Sequence, residues 1–126
     1  GTALTSLDVS ALTTCLDFYC SGNTALTSLD VSALTTCVYF SCPNNTALTS
    51  LDVSALTSVS WNFSCPNCAL TATSVEGALA QLVVAAVTGI TIDISGGTNA
   101  GLSSLSAQGQ ADYATLAAGN AITLNA

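Results

Sequence analysis

The sequence predicts an α/β repeat protein, a solenoid of 22-residue, strand-rich coils closed by a C-terminal cap of strands and helices. The first observation behind this is a phrase, Ala-Leu-Thr-Ser-Leu-Asp-Val-Ser-Ala-Leu-Thr, written at Ala3–Thr13, Ala25–Thr35 and Ala47–Thr57. The second is the step of its leucines, Leu4, Leu26, Leu48 and Leu70, which holds at 22 residues. A fixed step of this size implies coils that cannot bury their own apolar faces and therefore stack into a continuous core. The third is a change of character after Leu70, where helical spacing replaces the repeat. The expected organisation is a three-coil solenoid over 1–70 and a strand/helix cap over 71–126. Gly1-Thr2-Ala3-Leu4 begins in phase with Asn23-Thr24-Ala25-Leu26, as expected of an array cut from a longer one.

Each coil carries two strands in this reading. In the repeated phrase, period-two alternation points Leu7 and Val9, with their equivalents, toward the core. The second strand is Leu16-Asp17-Phe18-Tyr19-Cys20 in the first coil and Val38-Tyr39-Phe40-Ser41-Cys42 in the second. Alternation puts Leu16, Phe18 and Cys20 inside and Asp17 and Tyr19 outside. In the third coil, a one-residue insertion before Trp61 and a deletion after Asn67 align Phe63, Cys65, Pro66 and Asn67 with Phe40, Cys42, Pro43 and Asn44. The same shift makes Trp61 a core residue in place of Val38, with Ser60, Asn62 and Ser64 outside.

After Leu70, Thr73-Ser74-Val75-Glu76 reads as a capping box. It predicts a helix over about Ser74–Val87, with Val75, Leu79, Leu82, Val83 and Ala86 buried and Gly89 as the stop. A strand at Ile90–Ile94, a small polar loop to about Leu105, a weaker helix over Ser106–Ala118 and a last strand at Ala121–Leu124 complete the chain. Gly-Gly-Thr-Asn-Ala-Gly at Gly96–Gly101 matches no phosphate-binding spacing and has no lysine, so it is a turn.

Composition narrows function by exclusion. The chain has 126 residues, half of them apolar, with seven acidic residues and no Lys, Arg or His, for a net charge of −7. An ordinary domain of this length carries roughly a dozen or more basic residues. Binding to a phosphate backbone needs cations, so nucleic acid is excluded as a partner. Anionic membrane surfaces and mechanisms built on a His base, a Lys Schiff base or an Arg clamp are disfavoured by the same absence. The longest apolar stretch, Ala78–Ile94, is interrupted by Gln81, Thr88, Gly89 and Thr91, which argues against a membrane span. The lack of a recognisable leader says nothing about export.

Three sets of residues are candidates for chemistry or binding. The outward positions of the second strand vary from coil to coil while the frame is copied: Asp17 and Tyr19, then Tyr39 and Ser41, then Asn62 and Ser64. Such a strip is the expected ligand or partner surface, since repeat proteins recognise through extended faces; plain drift at exposed strand positions is the alternative. Asp8, Asp30 and Asp52 form a column of carboxylates about 4.8 Å apart. They are solvated or hydrogen-bonded to Ser10, Ser32 and Ser54, or hold a hard cation, or, least expected, act as paired acids. Cys20, Cys42 and Cys65 form one column and Cys15 and Cys37 another, as buried thiols or cross-coil disulfides. Cys65-Pro66-Asn67-Cys68 has CxxC spacing but no second pair for zinc. Asn44-Asn45-Thr46 and Asn62-Phe63-Ser64 match the glycosylation pattern, which so polar a sequence produces by chance.

The Leu-Thr-Ser-Leu-Asp-Val-Ser phrase, with Ser-Gly-Asn-Thr-Ala-Leu between copies, resembles the leucine-rich repeats of bacterial surface proteins and phage fibres. The tail, Ala78-Leu79-Ala80-Gln81-Leu82-Val83 with Asp93-Ile94-Ser95-Gly96-Gly97-Thr98-Asn99-Ala100, is similar to the segment that caps such arrays. The second strand is more aromatic than usual for these repeats, and the basic residues customary in the cap are missing. The resemblance implies a leucine-rich-repeat-like fold and an adhesive or structural role at a cell or virion surface, outside the cell, without cofactors. The expected function is a non-enzymatic structural protein, a fibre or filament subunit that self-associates through its open N-terminal coil. An adhesin or receptor-binding module reading a glycan or protein on the variable strip is the alternative. A hydrolase using the aspartate column is the third reading, weakened because a stacked strand face offers no cleft.

Overall fold

The computed structural model describes residues 4–126; the in-phase start at Gly1-Thr2-Ala3 lies outside the described residues. It is a small α/β domain with two helices and a five-stranded, all-parallel sheet. The front sheet runs in the order β1 (Thr14–Tyr19), β3 (Thr36–Ser41), β5 (Ser58–Ser64), β6 (Thr91–Ile94), β7 (Ala121–Leu124). Behind it, β2 (Ser28–Asp30) and β4 (Ser50–Asp52) make a two-stranded parallel sheet, which an Asp8–Asp30 bridge extends toward the N-terminus. Helix α1 (Ala72–Val84) and helix α2 (Ala107–Ala117) follow in chain order. Every front strand after the first is thus reached through one back element: β2 before β3, β4 before β5, α1 before β6, α2 before β7.

The repeated phrase forms less strand than its alternation predicts. Only Ser-Leu-Asp is paired, in β2 and β4, because the chain then turns: Leu34 N–H returns to Val31 C=O at 2.9 Å and Leu56 N–H to Val53 C=O at 3.0 Å. The inward assignments hold, since Leu29, Val31, Leu51 and Val53 are buried. Stacking is in register at 22 residues between β1 and β3, with Cys15 beside Cys37 and Phe18 beside Phe40. Between β3 and β5 it slips by one: Cys37 pairs with Val59, but Tyr39 pairs with Asn62 and Phe40 with Phe63. This is the inserted residue that the sequence alignment requires. It keeps the phenylalanines stacked, with ring centroids 5.0 Å apart for Phe18–Phe40 and 4.9 Å for Phe40–Phe63, each pair within 8° of parallel. Offset aromatic stacks of this kind contribute about 0.5–1.5 kcal/mol beyond area burial.

Two residues expected in the core of the front strands are outside. Leu16 is 75% exposed and Trp61 is 63% exposed. The inward set is Cys15, Phe18 and Cys20, then Cys37, Phe40 and Cys42, so two consecutive residues between the first pair of anchors face out. Simple alternation fails there. In β5, three residues separate Val59 from Phe63, and the extra one carries Trp61 to the surface as part of the bulge.

A buried amide supports the turns after the front strands. Asn45, fully buried, donates through Nδ2 to the carbonyls of Cys20 at 2.7 Å and Cys42 at 3.0 Å, while its Oδ1 accepts Asn23 N–H at 2.9 Å. Asn99, after β6, repeats this, donating to Cys65 C=O and accepting Leu70 N–H, both at 2.9 Å. Cys68 occupies the intervening position and donates its thiol to Cys42 C=O at 3.2 Å.

The helices continue the stack. Ser74 Oγ donates to Thr49 C=O at 3.0 Å and Gln81 Nε2 to Leu56 C=O at 2.7 Å, so α1 satisfies carbonyls that a further back strand would otherwise take. Helix α1 starts and ends earlier than expected. Its N-cap is Thr71, whose side chain accepts Ser74 N–H, and not Thr73. Its C-terminus is a Schellman turn, with Val87 N–H on Leu82 C=O and Ala86 N–H on Val83 C=O, and Ala86 takes the left-handed position at φ 53°. Val75, Ala78, Leu79 and Leu82 are the buried stripe, Val83 packs partly against the core, and Ala86 is exposed. The start of α2 at its N-cap Ser106 and the limits of β7 agree with the sequence reading. No helix among the described residues is long and apolar enough to cross a membrane.

Candidate functional site

The outer face of the front sheet carries the variable strip. Register places Asp17, Tyr39, Asn62, Thr91 and Ala121 in one row, and Tyr19, Ser41, Ser64, Asp93 and Thr123 in the next. The six strip residues expected from the sequence therefore share a face. They are not equally available: Tyr19 is 73% exposed and Tyr39 41%, and Asp17 is exposed, whereas Asn62 and Ser64 are half-buried and Ser41 is buried. Asn62 is held by a hydrogen bond from Nδ2 to Phe40 C=O at 3.3 Å.

Alternation hides the centre of this face. The exposed Trp61 ring lies 6.2 Å from Tyr39, centroid to centroid, with planes 18° apart. Leu16 and half-buried Val38 lie at the same end of the neighbouring strands. Leu16, Tyr19, Tyr39 and Trp61 thus account for most of the large apolar side chains that the described residues expose. The signal for this was present: Cys15-x-x-Phe18-x-Cys20 recurs as Cys37-x-x-Phe40-x-Cys42, and that inward spacing leaves Leu16 and Trp61 outside.

The aspartate column is a set of local turns. Asp8, Asp30 and Asp52 each accept, through Oδ1, the N–H of the serine two residues on, at 2.9, 2.9 and 3.0 Å. Such Asx turns are a common use of aspartate outside helices. The Ser10 hydroxyl and backbone N–H hold the Asp8 carboxyl below its usual range, and Ser32 does the same for Asp30 against a smaller opposing effect from Asp8. Hydrogen bonding thus outweighs like-charge repulsion at these exposed sites. Among the described residues no group of three His, Cys, Asp or Glu side chains is placed to hold a metal ion.

All six cysteines are free thiols, five of them buried and Cys15 half-buried. Cys42 is pushed well up by hydrogen bonding with Cys65, then by burial, and Cys68 is pushed up by burial to about 11. Cys42 and Cys68 are therefore protonated at neutral pH. Cys15 and Cys37 stand apart as a second pair, with Sγ atoms 3.6 Å apart. Asn44 is exposed in a left-handed turn at φ 61°, whereas Asn62 lies within β5, so the two glycosylation patterns occupy different surroundings. A groove between β4 and α1, lined in part by Asp52, Ser54, Ser74 and Gln81, holds Asp52 as its one titratable side chain. Comparison with protein-family models, with curated proteins and with solved structures returns no match to this chain.

Proposed function

We propose that the chain is a non-enzymatic, leucine-rich-repeat-like solenoid module that acts at a cell or virion surface by recognising a neutral glycan on the outer face of its front sheet. The observation that carries this reading is the exposed Tyr39–Trp61 stack, set on a bulge and flanked by Leu16, Tyr19 and Asp17. Aromatic planes give a sugar ring apolar contact, and side chains with a polar end fix its orientation. With no cation on the chain and a net charge of −7, sulfated or carboxylated ligands would be repelled, which leaves the neutral ones.

Trp61 is the single tryptophan, so its fluorescence reports directly on the face. Titration with neutral oligosaccharides is expected to shift Trp61 emission to shorter wavelength, and Tyr39→Ser is expected to weaken that binding at least tenfold, about 1.4 kcal/mol. A Tyr39→Ser protein that binds as the parent does, or an emission that no neutral glycan moves, would sink the proposal.

A second reading, a fibre subunit assembled end to end, has its own supporting observation. Leu4 is 42% exposed and Leu7, Val9, Leu12 and Cys15 are half-buried, whereas their equivalents Leu26, Leu29, Val31, Leu34 and Cys37 are buried. Among the described residues, the segment bearing β1 thus presents an apolar face and a strand edge without a partner, a template for a second copy. Negative-stain microscopy near the isoelectric point of about 4.1, where self-repulsion vanishes, tests it. Dispersed monomers at high concentration would exclude this reading.

A further inference from the structure

The geometry points to a reversible disulfide between Cys15 and Cys37 that clips the edge strand β1 to β3. The two residues are register partners on adjacent parallel strands, and their Sγ atoms are 3.6 Å apart. Neighbouring strands lie about 4.8 Å apart, within the Cα separation that disulfides span, so closing to a bond needs the sulfurs to approach by roughly 1.5 Å. That movement falls on β1, which among the described residues has one strand neighbour in the front sheet and can give, while Cys37 sits between two.

Access and pairing both favour this couple. Cys15 is the one cysteine of the six that is not buried, so it is the sulfur that an oxidant reaches from solution. The column ends at Cys37, because β5 supplies Val59 at the next register position and no third thiol competes. The other four thiols, Cys20, Cys42, Cys65 and Cys68, are closed off in the core. Cys37 donates its proton to Tyr39 C=O at 2.9 Å, and burial, with Cys15 second, pushes it up to about 12. Cys15, the sulfur reached from solution, therefore attacks first; once it is held in the mixed disulfide its share in raising Cys37 is gone, and Cys37 resolves.

With a low-molecular-weight disulfide such as oxidised glutathione, the step balances. The Cys15 thiolate attacks one sulfur of the oxidant, forming a mixed disulfide and releasing one glutathione thiolate. Cys37 loses its proton and attacks the Cys15 sulfur, forming the Cys15–Cys37 bond and releasing the second glutathione. Two protein thiols are oxidised and one glutathione disulfide is reduced to two thiols. The product ties down the coil whose apolar residues are the least buried of the described repeats, independently of what the outer sheet face binds.

The test is native full-length protein equilibrated in glutathione redox buffers, followed by acid quenching, intact mass and peptide mapping with a protease other than trypsin, which finds no site in a chain without Lys or Arg. The expected result is loss of the mass of two hydrogens, mapped to Cys15–Cys37, with the other four thiols intact. Amide exchange over Thr14–Tyr19 should slow by about tenfold or more on oxidation. Cys37→Val, which copies the residue β5 places in this column, should retain the fold and stop at a Cys15–glutathione adduct. The inference is overturned if the lost hydrogens map to any pair among Cys20, Cys42, Cys65 and Cys68. It is equally overturned if the parent protein stops at a glutathione adduct, stays fully reduced in the most oxidising buffer, or loses the same two hydrogens in Cys37→Val.

Discussion

The Glu76 carboxylate, one turn into α1, accepts the backbone N–H of Ser106 through Oε1 and so serves the start of the other helix. Ser106 is the N-cap of α2, where amides without intrahelical partners gather and the helix dipole favours negative charge. Gly109 lies against the same side chain: a Cβ there would stand 2.8 Å from Glu76 Cγ. Glu76→Ala is expected to destabilise the protein by about 1–2 kcal/mol, with Glu76→Gln costing less because an acceptor remains. Gly109→Ala should be unfavourable in the parent protein. In the Glu76→Ala background it should recover part of the roughly 1 kcal/mol that alanine gains over glycine in a helix. Urea denaturation of the four proteins measures the coupling, and strictly additive costs would show that the two residues do not meet.

Asn45 replaces backbone partners that no strand can supply in the turn after β3. Its amide reaches the carbonyls of Cys20 and Cys42, just past β1 and β3, and its oxygen takes the Asn23 N–H. Asn45→Ala leaves those buried groups unpaired, at about 1–3 kcal/mol for each that water cannot reach. The expected loss is at least 3 kcal/mol, against about 0.5 kcal/mol or less for Ser60→Ala, whose side chain is exposed on β5. Thermal unfolding of both variants checks the ordering, and equal costs would remove the amide from its structural role.

Much of this architecture is legible because stacking demands repetition. Leu26, Leu48 and Leu70 recur at one spacing and are all buried, and the one-residue insertion in the third coil is visible because Phe63-x-Cys65-Pro66-Asn67 must fall under Phe40-x-Cys42-Pro43-Asn44. The candidate face was legible in its rows but not at its centre. A period of two assigns Leu16 and Trp61 to the core, whereas the inward spacing is three then two in β1 and β3, and in β5 the bulge makes it four then two. The ends of α1 were hidden for another reason. Thr71 and Thr73 are both competent caps, and the choice is made by Ser74 Oγ reaching Thr49 C=O just before β4, a contact between residues 25 apart. The role of Glu76 was out of reach in the same way, since its partner lies 30 residues on.

The end of α1 gives a stabilising substitution. Ala86 holds φ 53° in a turn whose left-handed position is usually glycine, and a side chain there costs about 1 kcal/mol. The Ala86 side chain is exposed, so removing its methyl group forfeits little burial. Ala86→Gly is therefore expected to raise stability by roughly 0.5–1 kcal/mol despite the greater unfolded-state freedom of glycine. A lower melting temperature in differential scanning calorimetry would contradict the Schellman assignment.

The Asx turns set a pH dependence of defined sign. Asp8 and Asp30 have carboxyls lowered by Ser10 and Ser32, so their folded values lie below the unfolded value of about 3.9. A group lowered on folding contributes stability above its unfolded value, and that contribution disappears as pH falls through the folded one. The loss should therefore begin just below about pH 4 and be absent at neutral pH. Carboxyl-carbon NMR titration is expected to show both aspartates titrating below the free-residue value, and Ser32→Ala should move Asp30 upward. Asp8→Asn should move Asp30 further down, because the charge of Asp8 raises it. An Asp30 midpoint that rises on removing the Asp8 charge would mean that the two carboxylates share a proton or an ion, and the solvated-turn account of the column would fail.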